Sequence, residues 1–454
     1  MNSNKKKILF VTSELFPQFG YPTAGGGVRG EQIYRSLEDA GFPIDLALAR
    51  DSAEGKDNLP DWATRYLYRP EFLDGLIEQA DPDLVLSEAW EPLSHLKFED
   101  NRIYVADCPG PLVLENLLGG SGDLKSNVFE KVRTLSRLDA VLCPTRAMRG
   151  YLSSYLVLAA WSLEDTDRIL EVPIALPEPL PERKPTPDSE LTIFVGGISW
   201  AWHKTSEWVL QLADSLDKIG TGKVRFRQGV HPQIEYEDSL FESLDPKLAN
   251  HPRIEVGDLT DWNSLVEELT TIPLAIEWSP KHLEREIAST LRIVTYLWCG
   301  VPTIVRSHVD LAGEIKESQA GWVVDEWEDL IQLIGSLARD PSQIVTCSRN
   351  AQRLARERHT WPTAHQELID RLDTLKPRPK SPSFLQHATE TLRSQEEEIL
   401  NLRSEIQAAT KEMQNISQHL EHTEAERQTD QADAESFRAM RQKLPYRIWK
   451  RILG

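Results

Sequence analysis

The sequence predicts an α/β fold of two Rossmann-like domains followed by a C-terminal α-helical coiled coil. Three observations predict it. Short apolar runs alternate with segments of helical period through two successive blocks. A stretch rich in proline and charge, PEPLPERKPTP at 177–187, separates the blocks. Past a second break, PRPKSPS, apolar residues recur at heptad spacing. These features divide the chain into domains at 1–178 and 191–376, linkers at 179–190 and 377–383, a coiled coil at 384–443 and a basic aromatic tail at 444–454.

In the first block, Ile8 to Thr12 is a continuous apolar run, as expected of a parallel strand covered on both faces. The loop SELFPQFGYPTAGGG follows, then a helical pattern in which Val28, Ile33, Leu37 and Ala40 share a face before Gly41 ends it. IDLALA supplies the next strand, which completes a βαβ unit. DLVLSEA, IYVADCPG and AVLCPT continue the alternation, and ILEVPIALP closes the block. The second block opens with LTIFVGG and the amphipathic SEWVLQLADSLDKIG. Strands are expected at KVRFRQG, RIEVGD, PLAIEWS and VPTIVRS, with a helix over TLRIVTYLWCG. GWVVD, a helix at DLIQLIGSLARD and another from Asn350 to Arg358 finish it. Two such halves make a cleft, and ligands favour clefts at the carboxyl ends of strands.

A chain of 454 residues is too long for one core, and its 40% hydrophobic content is that of a globular protein. The formal net charge of -20 excludes a general nucleic-acid binder, which needs a surplus of Lys and Arg. Cys108, Cys143, Cys299 and Cys347 show no paired spacing, so neither a disulfide framework nor a zinc site follows, and a reducing cytoplasm is expected. Lysines before an apolar run give the start the look of a signal peptide. Thr12, Ser13 and Glu14 interrupt that run, which a buried first strand explains better. No stretch approaches the roughly 20 apolar residues that span a bilayer.

In the coiled coil, Leu385, Leu392, Ile399, Ile406, Met413 and Leu420 recur every seven residues. Ala388, Leu402, Ala409 and Ile416 take the companion position, with Gln395 and Thr423 as weaker members. Self-association through this seam is one reading, and a single helix lying on the body is the other. The tail LPYRIWKRILG combines Tyr446, Ile448, Trp449, Ile452 and Leu453 with Arg447, Lys450 and Arg451. That mixture suits an anionic membrane surface, or docking against the coiled coil or the body.

Glycines at Gly25, Gly26 and Gly27 let a backbone approach a ligand closely, and free N–H groups at a helix start attract anions. The same triplet also serves simply to join a strand to a helix. The run GGGVRGEQIYRSLEDAGFPIDL resembles the first βα unit of glycosyltransferase family 4 and its relatives. HLEREIASTLRIVTYLWCGVPTIV, from His282 to Val305, resembles the donor-site helix and strand of bacterial polysaccharide glycosyltransferases. GWVVD and NAQRLARERHTW also fit, and the resemblance runs in order over residues 5–375.

The resemblance implies the two-domain GT-B fold, with acceptor recognition in the first domain and donor recognition in the second. It implies transfer, with retention of anomeric configuration, from a nucleotide-diphosphate sugar to a glycan or lipid-linked acceptor in bacterial surface polysaccharide synthesis. It also implies an enzyme working at the inner face of the cytoplasmic membrane without a cofactor, and no DxD metal motif stands out. Thr290 and Arg292, at a helix start, suit stabilisation of the diphosphate leaving group. The alternative for Arg292 is a surface ion pair with Glu284 or Glu286.

This sequence departs from the family pattern at several positions. The two family glutamates fall at Ile287 and Thr295, so Glu286 is the acidic candidate near the sugar. After the first strand of the second domain, Gly196-Gly197-Ile198 lacks the family's arginine, and its lysine position falls at or beside His203-Lys204. Trp202 matches an aromatic of the subgroup and is read as stacking on the base or packing in its loop. In the first domain, Asp107 follows a strand where the family places a histidine; it is a candidate general base, or a turn residue. Glu88 and Glu91 are candidates for acceptor contacts. The departures also motivate a catalytically reduced GT-B scaffold subunit of a polysaccharide assembly complex. A Rossmann oxidoreductase is the third reading, weakened because GGGVR lacks the G-x-G-x-x-G spacing.

Overall fold

The computed structural model describes residues 5–120, 123–184, 190–232, 241–243, 245–361, 363–379, 399–411, 413–415, 427, 430–440 and 442. Up to Leu385 the chain forms one unit, and Gln386 to Gly454 forms another.

The first unit is built on two wholly parallel sheets. The first contains β1 (Ile8–Thr12), β2 (Ile44–Ala49), β3 (Tyr66–Tyr68), β4 (Leu84–Ser87), β5 (Ile103–Asp107), β6 (Ala140–Cys143) and β7 (Ile169–Glu171) in the order β3-β2-β1-β4-β5-β6-β7. The second contains β8 (Thr192–Ile198), β9 (Lys223–Gly229), β10 (Ile254–Asp258), β11 (Leu274–Glu277), β12 (Thr303–Val305) and β13 (Gly321–Val323) in the order β10-β9-β8-β11-β12-β13. These are the two Rossmann-like domains that the apolar alternation predicts.

β1 is buried along its whole length, which explains its unbroken apolar run. Ile8 and Phe10 point to one face with Ile33 and Leu37 of the Gly25–Asp39 helix, while Leu9 and Val11 point to the other with Leu73 and Leu135. In each sheet the strand order reverses beside its first strand, between β1 and β4 and between β8 and β11. Such a reversal opens a crevice at the carboxyl ends of the strands.

The Gly25–Asp39 helix joins the halves. Val28 belongs to the apolar cluster of the second half, with Phe194 and Ile293. On the next residue, Arg29 Nε and Nη2 donate to the Asp107 carboxylate at 2.5 and 2.9 Å, and both side chains are buried. Gly27 is required where the chain enters the helix. A Cβ there would lie 2.1 Å from Leu15 O and from Thr23 Oγ1, which are themselves hydrogen-bonded at 2.5 Å.

The Gln366–Thr374 helix falls within the 191–376 segment that the sequence assigns to the second domain. Its Leu368, Ile369 and Leu372 pack instead against Ile8, Phe10 and Leu170 of the first sheet, because that sheet's face needs an apolar cover. Lys6 Nζ donates to Leu372 O at 3.0 Å and fixes the return.

In the second unit, residues 399–411, 413–415 and 430–440 are helical. Ile399, Leu402, Ile406 and Met413 are exposed there. The seam positions Leu385, Ala388, Leu392, Gln395, Ile416, Leu420 and Thr423 lie outside the described residues, as does the tail 444–454. Among the described residues no helix is long and apolar enough to cross a membrane.

Because removing one partner strands a buried charge, Asp107→Asn should destabilise the protein by about 3–5 kcal/mol in urea unfolding. The volume-matched pair Arg29→Met with Asp107→Leu should recover most of that loss. A single variant as stable as the wild type would show the ion pair to be dispensable.

Candidate active site

A cavity of about 230 Å³ opens between the carboxyl edges of the two sheets. The first half contributes Thr23 to Gly25 and Val28, and the second contributes Gly196 to Ile198, Arg285 and the Thr290 to Tyr296 segment. Two helices begin at this cavity. The Gly25–Asp39 helix has Ala24 at its N-cap and the Leu291–Trp298 helix has Thr290, and neither makes a side-chain cap bond. Their first N–H groups are therefore open to an acceptor. Leu259, Trp262 and Leu265 supply an apolar wall.

Arg292 lies on the first turn of the Leu291–Trp298 helix, and its Nη1 is 3.2 Å from Glu277 at the end of β11. The partner is thus neither Glu284 nor Glu286. Burial alone would raise the Glu277 carboxyl, but Arg292 and Arg285 hold it below the usual carboxylate range. The guanidinium lies over Gly197, where a Cβ would be 3.2 Å from Cζ and where φ is +125°. Glycine serves there both for the backbone angle and for the close approach. Thr295 lines the cavity, but its hydroxyl donates to Leu291 O at 3.0 Å within its own helix.

Arg285, which the sequence reading passed over, reaches the same corner. Its Nε donates to Glu284 Oε2 at 2.8 Å, Nη2 donates to Glu284 Oε1, and Nη1 reaches the Thr290 hydroxyl at 3.3 Å. His203 also lines the cavity, and neither ring nitrogen has a hydrogen-bond partner. Burial, with Arg285 and Arg292 nearby, pushes its pKa well below the ordinary value, so the ring is neutral at pH 7. Trp202 is stacked on Trp200 with centroids 5.1 Å apart, and it is Trp200 that lines the cavity.

Other candidates lie apart. Lys204 is exposed and 4.0 Å from Glu207, and Glu286 pairs with Lys281 at 3.5 Å; neither lines the cavity. Gly25 lines it, whereas Gly26 and Gly27 do not. Gly26 faces the Glu14 side chain.

On the first half, both oxygens of Asp107 are held by Arg29, an arrangement that neither a free base nor a turn cap would have. Glu88 is buried and accepts from the Thr12 hydroxyl and from Ser13 N and Oγ, at 2.5 and 2.6 Å from the latter two. Burial and the neighbouring Glu14 raise its pKa. Glu14 itself crosses to the second half, 3.0 Å from His231 Nε2. Glu91 Oε2 is buried without a hydrogen-bond partner, as is Lys131 Nζ. Burial pushes Glu91 up to about 7, with Lys131 opposing. Glu115 is pushed up to about 7 in the same way and faces Glu284 and Arg285 across the cleft. Among the described residues no group of His, Cys, Asp or Glu is placed to hold a metal ion.

No family model matches the chain, and no curated protein matches it. Solved structures do. A sucrose-phosphate synthase from Thermosynechococcus elongatus superposes with TM-score 0.61 at 12% identity, covering 80% of this chain and 98% of that one. HepE of Anabaena, in complex with UDP-glucose, gives TM-score 0.58 at 15% identity, covering 82% and 100%. WaaG, a glycosyltransferase involved in lipopolysaccharide biosynthesis, gives 0.53 at 12%, covering 81% and 99%. The two parallel sheets with a cleft between them are the GT-B fold, and this chain shares it with all three.

Glu91 supplies a pH test. The folded protein keeps its proton up to about 7, while the unfolded chain releases it near the ordinary value of 4.5. Stability contributed by this group is full below 4.5 and lost as pH rises to about 7. Glu91→Gln should remove that fall, gaining on the order of 2–3 kcal/mol over wild type between pH 4.5 and 8. Parallel urea-unfolding midpoints for the two proteins across that range would place the proton elsewhere.

Proposed function

We propose that this chain is a glycosyltransferase that takes a sugar from a nucleotide-diphosphate donor bound in the cleft. The observation that carries the reading is the convergence of two uncapped helix starts with Arg285 and Arg292 on one cavity. As a glycosidic bond to a diphosphate breaks, negative charge grows on the leaving phosphate. Fixed N–H dipoles and guanidinium groups at that place stabilise it more in the transition state than in the ground state. The apolar wall at Leu259, Trp262 and Leu265 suits the base, and the open His203 ring suits sugar hydroxyls. The structural neighbours, HepE with UDP-glucose and WaaG of lipopolysaccharide biosynthesis, support a nucleotide-sugar donor and a glycan or lipid-linked acceptor.

A surface-polysaccharide role at the inner face of the membrane is part of this proposal, with the basic tail as the contact and the heptad seam as a self-association surface. The second reading is a scaffold that keeps the fold without turnover. Thr295 favours it, since a hydroxyl bonded within its own helix cannot replace a carboxylate.

Thermal-shift screening of UDP-, ADP- and GDP-sugars, followed by nucleotide release, separates the two readings. Arg292→Ala should weaken donor binding or turnover by about 1.5–3 kcal/mol without unfolding the protein. Unchanged donor kinetics in that folded variant would remove Arg292 from the site.

The exposed row of Ile399, Leu402, Ile406 and Met413 should hold copies of the chain together. Light scattering at micromolar concentration should find the full chain associated and a chain ending at Lys376 monomeric. A monomeric full chain would refute the coiled coil.

A further inference from the structure

Three arginines line the cavity among the described residues, and each is already paired with an acid. Arg227 is held by Glu268 at 2.7 Å and Glu255 at 3.1 Å. Arg292 is held by Glu277 from the end of β11. Arg285 is held through two of its nitrogens by the residue immediately before it, Glu284. A nucleoside diphosphate brings at least two negative charges into this space. Without a change of partners it would meet neutralised cations and the two buried carboxylates of Glu277 and Glu284.

Arg285 differs from the other two in what else it touches. Its Nη1 touches Thr290, the N-cap of the eight-residue Leu291–Trp298 helix, so its charge lies at the open, positive end of that helix. A second feature at this corner points to an absent ligand. His203, almost wholly buried, has both ring nitrogens unpartnered and faces the cavity. Glu284 Oε2 is 4.0 Å from His203 Nε2, so a short rotation of the carboxylate would give it a new partner. The neighbouring charged or titratable groups are Arg292, His282, Glu277 and, from the first half, Glu115.

We propose that Glu284 and Arg285 form an exchangeable pair, in which Glu284 holds the guanidinium in reserve and a diphosphate at the start of the Leu291–Trp298 helix displaces it. This rests on the donor reading above and adds to it a cation that becomes available only when the ligand arrives. Arg285 then bridges the phosphates and Thr290, and Glu284 turns to His203. No covalent bond changes in the exchange. Its consequence is that Glu284 competes with the ligand. An acid in a binding site ordinarily helps to hold its ligand or its neighbours, whereas this one opposes the diphosphate and has little effect on a monophosphate bound mainly through its nucleoside.

The test is calorimetric titration of the full chain with UDP and UMP, and with the adenosine and guanosine pairs alongside. Glu284→Gln should tighten diphosphate binding roughly tenfold, and Arg285→Gln should weaken it by about tenfold or more. Monophosphate affinity should move less than about threefold in either, since the exchange acts on the second phosphate. Either single variant leaves one buried charge without its partner. The double variant Glu284→Gln with Arg285→Gln removes both charges and should lose the preference for diphosphate over monophosphate even if a single variant fails to fold. The exchange is refuted if Glu284→Gln weakens diphosphate binding or leaves it unchanged, or if the double variant keeps the wild-type preference. A wild-type chain that holds none of the three diphosphates at millimolar concentration would instead overturn the donor reading itself, and the exchange with it.

Discussion

The buried ion pair between Arg29 and Asp107 holds the element on which the cleft depends. It ties the Gly25–Asp39 helix to the carboxyl end of β5 through two hydrogen bonds. One residue earlier, Val28 inserts into the apolar cluster of the second half. One turn later, Gln32 Oε1 accepts from Ala175 N at 3.2 Å, where the chain leaves the first half. A single helix is thus fixed to both halves, and its glycine start is set against the cavity. The constraint is directional. A charged pair with two bonds sets the rotation of the helix about its axis, which apolar packing alone leaves less defined.

The same region shows why burial and charge have to be considered together. Burial raises the carboxyl groups of Glu88, Glu91 and Glu115 in the first half. Lys131, the basic group among them, is lowered by burial and sits 4.5 Å from the Tyr155 ring. Burial favours the neutral form of each of these groups. In the second half, Glu277 and Glu284 are instead matched with Arg292 and Arg285. The acids of the first half are thus shifted toward their neutral forms, whereas those beside the cavity are ion-paired with arginines.

Much of the fold was legible because its physics is local. Ile8 to Thr12 and IDLALA read as buried parallel strands since apolar runs of that length have few other uses, and both are strands. The start of the Leu291–Trp298 helix was placed within a residue by Thr290 and Arg292. What stayed hidden depends on pairing across the chain. Asp107 at a strand end looks available until Arg29, 78 positions away, takes both its oxygens. In LEREI the sequence cannot say which acid faces inward. The family spacing favours Glu286, yet Glu284 is the buried one, because the short Leu283–Ile287 helix turns that face inward. Gln366–Thr374 was assigned by proximity along the chain, whereas the uncovered face of the first sheet decided its place.

The departures from the family pattern look like losses when each position is taken alone. The arginine after Gly197 is absent, and the acid expected at Thr295 is a hydroxyl engaged with its own helix. Geometry suggests redistribution for the first of these. Arg292 reaches back across the bare Cα of Gly197, so its guanidinium lies where a residue following that glycine would otherwise act. Gly197 is what makes the substitution workable, since any side chain there would meet Cζ at 3.2 Å. Glu277 then holds Arg292 in that pose from the end of β11, the neighbouring strand. A cation supplied from the helix rather than the loop moves with the helix start, so the N–H dipoles and the guanidinium keep one fixed geometry toward an anion. Thr295 has no comparable substitute within its helix. On the proposed donor reading, the cleft therefore keeps cations for a diphosphate while the acid position at Thr295 stays without a substitute.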